Sequence, residues 1–403
     1  MPLWKRNLWV CWFGSFATGA GLSLVLPFLP LYIEMLGVHN VAAVEQWSGL
    51  AFGATFITAA IFSPLWGKLA DRHGRKLMLL RASIGMAVIM ILMGFAQNVY
   101  QLVGLRLLMG LVSGYISAAT TLVATQTPYE HSGWALGTLS TGQVSGNLLG
   151  PLIGGWLSEV IGLRHVFFVT GGFLILAFLV TYLLIKEDFR PEQKLELGFK
   201  EVWSKIENPK AVMAMFLTTM MIQVAILTIE PIVTVYVKQL VQDVTHLALI
   251  AGFVVSIPGL ANIFSASRLG RISDQKGPSK VLFFSLLLAA LVFVPQAYVQ
   301  TPWQLMGLRF ILGIAMAGML PAVNTLIRKS VPGSVSGRIF GYNQSAQYLG
   351  NVTGPLLGGQ IAAYYGIRYV FLFTAALLVI NALWVRHIDK MTLDPQKHVF
   401  STP

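Results

Sequence analysis

The sequence predicts an all-α integral membrane protein with twelve transmembrane helices arranged as two six-helix repeats. Three observations carry that expectation. Hydrophobic residues make up 55% of the 403-residue chain and charged residues only 11%, about half the charged share of a soluble protein. Apolar runs of about 20 residues, long enough to cross a bilayer as a helix, recur along the whole chain. The segment Gly146-Asn147-Leu148-Leu149-Gly150-Pro151-Leu152-Ile153-Gly154-Gly155 returns as Gly350-Asn351-Val352-Thr353-Gly354-Pro355-Leu356-Leu357-Gly358-Gly359. Two glycine-rich, proline-bent helices thus occupy matching places in two halves.

The apolar runs place spans at 8–36, 47–69, 77–96, 99–125, 134–160, 165–186, 211–239, 245–269, 280–299, 302–327, 337–363 and 367–386. Residues 1–186 form an N-terminal six-helix half and 211–403 a C-terminal one. The polar stretch 187–210 reads as a cytoplasmic linker with a short surface helix around 196–207. A second repeated text, Gly162-Leu163-Arg164-His165-Val166-Phe167 and Gly366-Ile367-Arg368-Tyr369-Val370-Phe371, supports parallel duplication.

The net charge of +12 is a topology signal. Nearly all Lys and Arg fall in loops on the side of the N-terminus; Arg164, Lys238 and Arg368 fall on the other. By the positive-inside rule both termini are cytoplasmic, and no nucleic-acid partner is expected. The single cysteine, Cys11, excludes an intramolecular disulfide. The histidines are scattered without ligand spacing, so no metal site is expected. The first apolar run lacks a small-residue cleavage site and reads as a retained helix.

In span 1, Pro27 and Pro30 bend the chain, which membrane helices tolerate where neighbours satisfy the freed carbonyls. The bend lines a cavity or is a packing kink. Between spans 2 and 3 lies Gly67-Lys68-Leu69-Ala70-Asp71-Arg72-His73-Gly74-Arg75-Lys76, read as a short basic turn. Gly67 and Gly74 permit tight geometry, and Asp71 is placed to accept from arginines or cap a helix. A shortened copy runs from Gly270 to Gly277. Span 4 carries Arg106 and span 10 carries Arg309; a buried arginine in a span costs on the order of 3 kcal/mol and normally faces the bundle or water.

In span 5, Gly146, Gly150 and Gly154 share one face at four-residue spacing, letting another backbone approach closely, and Pro151 adds a kink. In span 7, Glu230 beside Pro231 reads as the one acid well inside a span. A lone carboxylate there favours its protonated form, which suits a proton carrier; its counterpart in the first half is Leu26. A structural hydrogen bond or a place near the outer mouth are the alternative readings. Other polar span residues gather on spans 4, 5, 10 and 11. Gln143, Asn147, Asn324, Asn343, Gln344 and Gln347 are candidates for a substrate cavity, and Gln126 belongs to the same set.

Together these motifs resemble the twelve-span drug–proton antiporter family of the major facilitator superfamily. The loop Gly67, Asp71, Arg72, Gly74, Arg75, Lys76 matches its signature gating loop, and Arg106 matches an arginine that the family links to proton movement. Gly146, Gly150, Pro151, Gly154 and Gly155 match its antiporter motif, which the resemblance makes a pliable contact between halves. One departure is that Glu34 falls near the outer end of span 1, so no deep acid stands there, and Glu230 is the substitute coupling candidate.

The resemblance implies a secondary transporter that exports apolar or amphipathic drugs in exchange for protons by alternating access. The expected setting is a bacterial cell membrane, with the protein a monomer in the lipid bilayer and no cofactor beyond the proton. No phosphate-binding loop and no nucleophile–base arrangement appears, so neither ATP-driven pumping nor enzymatic catalysis is expected. The alternatives are transport of one specific metabolite, such as a sugar or lysolipid, or a membrane sensor on a transporter fold.

Overall fold

A computed structural model describes residues 2–128, 131–187, 199–241 and 246–392. The side chains of Leu26, Asp71, Ser132, Gly133, Phe199, Lys200, Ser267, Asp274, Gly333, Ser334, Ser336, Gly337 and those from 389 onward lie outside the description. The described residues form sixteen α-helices and one 3₁₀ turn.

Three expected spans are each built from two helices. Span 1 is α1 (Leu3–Val25), a 3₁₀ turn at Leu26–Phe28 and α2 (Leu29–Met35). The 3₁₀ turn falls where Pro27 and Pro30 remove amide donors and so cannot continue an α ladder. Span 2 is α3 (Val41–His73) and span 3 is α4 (Arg75–Gly94). Span 4 is α5 (Val99–Val112) and α6 (Tyr115–Gln126), broken at Gly114, whose φ is 121°. Spans 5 and 6 are α7 (Ser132–Ile161) and α8 (Leu163–Leu184), and α9 (Phe199–Ser204) is the short linker helix.

Span 7 is α10 (Pro209–Leu227) and α11 (Val233–Leu240). The remaining five are α12 (Leu247–Lys276), α13 (Pro278–Gln296), α14 (Pro302–Lys329), α15 (Gly333–Tyr365) and α16 (Ile367–Thr392). Several helices outrun their apolar windows, α3 by starting at Val41 and α12 by ending at Lys276. Helical hydrogen bonding continues past the hydrocarbon, where charged side chains meet water.

Ten helical segments are long and apolar enough to cross a membrane. Helices α7 and α15 are not among them, although each is at least 30 residues long. Their Gly, Ser, Thr, Asn and Gln content lowers mean hydropathy, because these two helices are built for close backbone approach. With them the twelve-span architecture is complete.

Two compact units divide the chain. One comprises residues 1–194 and 230–259, the other 195–229 and 260–403. Sequence duplication and packing therefore draw different lines: the stretch Glu230–Gly259 opens the second repeat in sequence but packs within the first unit. In the first unit α7 lies along α1, α8 along α4 and α5 along α3. In the second, α15 lies along α10 and α16 along α13, the first two of those pairs in repeat positions. Many large apolar side chains on helix exteriors, such as Phe264, Leu291 and Leu183, are exposed and suit contact with lipid.

Candidate functional site

The expected basic turn is mostly helix. Helix α3 runs through Asp71 and Arg72 to His73, and Gly74 alone turns the chain, at φ 91°, before α4 starts at Arg75. Gly277 repeats that geometry at φ 93°. Gly67 is helical, and a Cβ there would meet nothing within 4 Å, so its expected role in a tight turn is not required. The Asp71 side chain lies outside the described residues. Arg72 is exposed. The acid that caps α4 is instead Glu187, just beyond α8. Its two oxygens accept the backbone N–H groups of Arg75 at 2.9 Å and Lys76 at 2.6 Å, meeting donors that a helix start leaves open. The Lys76 ammonium donates to the Tyr182 carbonyl at 3.0 Å.

Arg106 is 2% exposed on α5. Its Nε donates to the Ala51 carbonyl of α3 at 3.0 Å, and its guanidinium lies 6.0 Å from the Phe52 ring. The interface continues as a polar ladder. Thr55 donates to the Arg106 carbonyl, Thr58 to that of Leu107 and the Trp66 indole to that of Leu111. Arg81 of α4 then stacks 3.7 Å from the Trp66 ring and donates to the Ser113 carbonyl at the α5–α6 break. Arg309 is equally buried on α14.

The glycine face of α7 meets α1. A Cβ on Gly146 would lie 2.7 Å from the Ala20 nitrogen, one on Gly150 3.0 Å from the Ala20 carbonyl, and one on Gly154 2.9 Å from the Phe28 ring. Gly155 looks another way, towards the Ala248 carbonyl of α12 at 2.7 Å, and Gly252 of α12 approaches the Pro151 carbonyl. On α15 the copy repeats the first arrangement against α10, with Gly350 facing Met220, Gly354 facing Val224 and Gly358 facing Thr228.

Glu230 stands in the non-helical break between α10 and α11, half-buried. Pro231, which supplies no amide donor, follows it. Among the described residues the buried acid is instead Glu45, outside the expected span 47–69 but in the second turn of α3 and 3% exposed. Asn40 caps α3 by accepting from the Ala43 N–H, so the helix starts before the apolar window and carries Glu45 inside. That Asn cap was the available signal.

The cavity candidates fall into two groups. Gln143 and Asn147 lie on α7, where a Cβ on Gly19 of α1 would touch both. Asn343, 1% exposed on α15, donates to Asn324 of α14 at 3.3 Å, and Gln344 donates to Gln347 at 3.4 Å. Gln126 instead accepts from Asn7, which also reaches the Lys186 carbonyl. That set joins α1, the end of α6 and the segment after α8 at one end of the first unit. Its opposite end is tied by Lys238 to Glu34 at 2.7 Å, by His246 to Glu159 at 3.1 Å and by Thr234 to the Pro27 carbonyl.

The sequence matches the description Major Facilitator Superfamily over residues 11–302 and again over 251–402. The chain belongs to that superfamily. It is 53% identical over 382 residues to multidrug resistance protein MdtG of Salmonella typhimurium, covering 94% of this chain and 95% of the relative. To MdtG of Serratia proteamaculans it is 51% identical, covering 94% and 93%. Two solved structures share the superfamily fold. A bacterial homolog of the human lysosomal transporter Spinster aligns with a TM-score of 0.81 at 15% identity, covering 98% of each chain. The nucleoside transporter NupG aligns with a TM-score of 0.78 at 14% identity, covering 97% of this chain and all of the other. A multi-pass membrane transporter of this superfamily is therefore the frame in which Arg106, the Gly74 corner and the α7 glycines sit.

Proposed function

We propose that this protein exports apolar or amphipathic small molecules across a bacterial inner membrane in exchange for protons, alternating access between the two faces. The observation that carries the reading is a likeness above 50% over nearly the whole chain to proteins named for multidrug resistance. Arg106 supports proton coupling: a charged group buried inside a span is costly, and such residues mark ion pathways and proton relays. On this reading both termini and the Gly74 corner face the cytoplasm. The protein works as a monomer, the proton is the only coupling ion, and no covalent step occurs.

The α7 glycines supply mobility. Without side chains at Gly146, Gly150 and Gly154, α7 and α1 approach closely, with Ser23 donating across the contact to the Gly146 carbonyl. The test is dye extrusion from energised right-side-out vesicles. Extrusion is expected to collapse when a protonophore is added. Extrusion that persists sinks proton coupling, and a protein that ignores amphipathic dyes while carrying a single metabolite sinks the multidrug reading.

A further inference from the structure

Helix α3 carries an acid that no described group meets. Glu45 is 3% exposed, and among the described residues its carboxyl has no hydrogen bond and no ion pair. It is not a cap: the first-turn donor at Ala43 already goes to Asn40. Ser48, the nearest hydroxyl along its stripe, spends its proton on the Val44 carbonyl at 2.6 Å. Glu45, Ser48, Phe52 and Thr55 follow helical spacing down one face of α3, and Phe52 and Thr55 on that face meet Arg106 of α5.

The charged and titratable groups packed around α3 are few. On α5 they are Arg106 and Tyr100, the latter against Trp47. On α2 they are Tyr32, bonded to the Met93 carbonyl, and Glu34, paired with Lys238. On α4 Arg75, Lys76 and Arg81 stand at the other end of the span. Arg106 is thus the cation nearest in register, about 10 Å along the axis by the rise per residue from Glu45 to Phe52. Its Nε is used, while among the described residues its two Nη nitrogens reach no acceptor.

We propose that Glu45 is a proton-carrying residue of the coupling machinery, with Arg106 as the cation that discharges it. This rests on the proton-coupled reading above. In the present arrangement the buried carboxyl holds its proton. When the Arg106 guanidinium comes near, the Glu45 O–H bond breaks, the proton passes to water, and the charge left on the carboxylate is met by Arg106.

Proteoliposomes with an imposed pH gradient test this. Wild type is expected to drive dye uphill. Glu45→Gln is expected to lower gradient-driven transport about tenfold or more while the dye Kd measured by fluorescence stays close to wild type. Glu45→Asp is expected to recover part of the transport with a displaced pH profile. If wild type is gradient-driven and Glu45→Gln equals it, the Glu45 assignment alone falls. If wild type ignores the gradient, the proton-coupled reading falls and the assignment with it.

A wild-type measurement covers a variant that fails to fold. A hydrophobic carbodiimide, which attacks protonated buried carboxyls, is expected to label Glu45 by mass spectrometry at neutral pH, with labelling falling as pH rises. Absence of that label overturns the proposal.

Discussion

Single residues here act through what they replace. Glu187 takes the place of a loop acid as the cap of α4, accepting from Arg75 and Lys76. Replacing it with Ala leaves two amide donors open and is expected to cost about 1 kcal/mol, read as a lower Tm in detergent. Arg106 fixes its guanidinium with Nε, and among the described residues its Nη groups reach no acceptor. Lysine has one charged nitrogen, so Arg106→Lys is expected to lower dye extrusion about tenfold with little change in Tm. Arg106 was legible in the sequence because a charge inside an apolar run stands out. Glu187 was not, since its partner is remote in sequence. Glu45 was missed because an apolar window starts later than the helix that carries it.

At the level of elements, glycine has two uses that the motif text does not separate. Gly146, Gly150 and Gly154 let α1 lie against α7, and a branched side chain there has nowhere to go. Gly150→Val is expected to cost about 3 kcal/mol or more through overpacking, seen as a low yield of folded protein. Gly67 and Gly137 are helical and open, with nothing within 4 Å of a Cβ. Gly67→Ala and Gly137→Ala are expected to leave Tm unchanged or raise stability by up to about 1 kcal/mol. Spacing at four residues predicted which glycines share a face. It could not say that the neighbour is α1, because that contact joins the ends of a long stretch of chain. The break in span 4 was likewise hidden, because hydropathy runs smoothly across Gly114 while the backbone does not; the break in span 7 had its signal in Glu230 and Pro231.

For the molecule as a whole, the repeat was the most legible feature, and it reaches details the text alone did not show. Arg164 donates to the Ala96 carbonyl at the end of α4, and Arg368 donates to the Ala297 carbonyl at the end of α13, both at 3.2 Å. Each arginine sits where a cation complements a helix C-terminus. The first unit departs from symmetry at its Lys238–Glu34 and His246–Glu159 pairs, which join the opening of the second repeat to the first. If transport requires that end to part, Cys at positions 34 and 238 joined by a short reducible cross-linker are expected to stop dye extrusion. Reduction is expected to restore it. Extrusion that continues with the linker in place would show that this end need not open.

The low hydropathy of α7 and α15 has a consequence for biogenesis. An insertion channel that tests segments one at a time accepts α1 and α10 readily, whereas a glycine-rich segment with several amides gains little by entering lipid alone. Helix α7 is then expected to enter the bilayer only once α1 is there to receive it, and α15 only after α10. Glycosylation mapping of α7 fused alone to a reporter should show poor insertion, and the same segment behind α1 should insert well. The surfaces on which these helices pack closely in the finished protein would thereby set the order in which the chain enters the membrane.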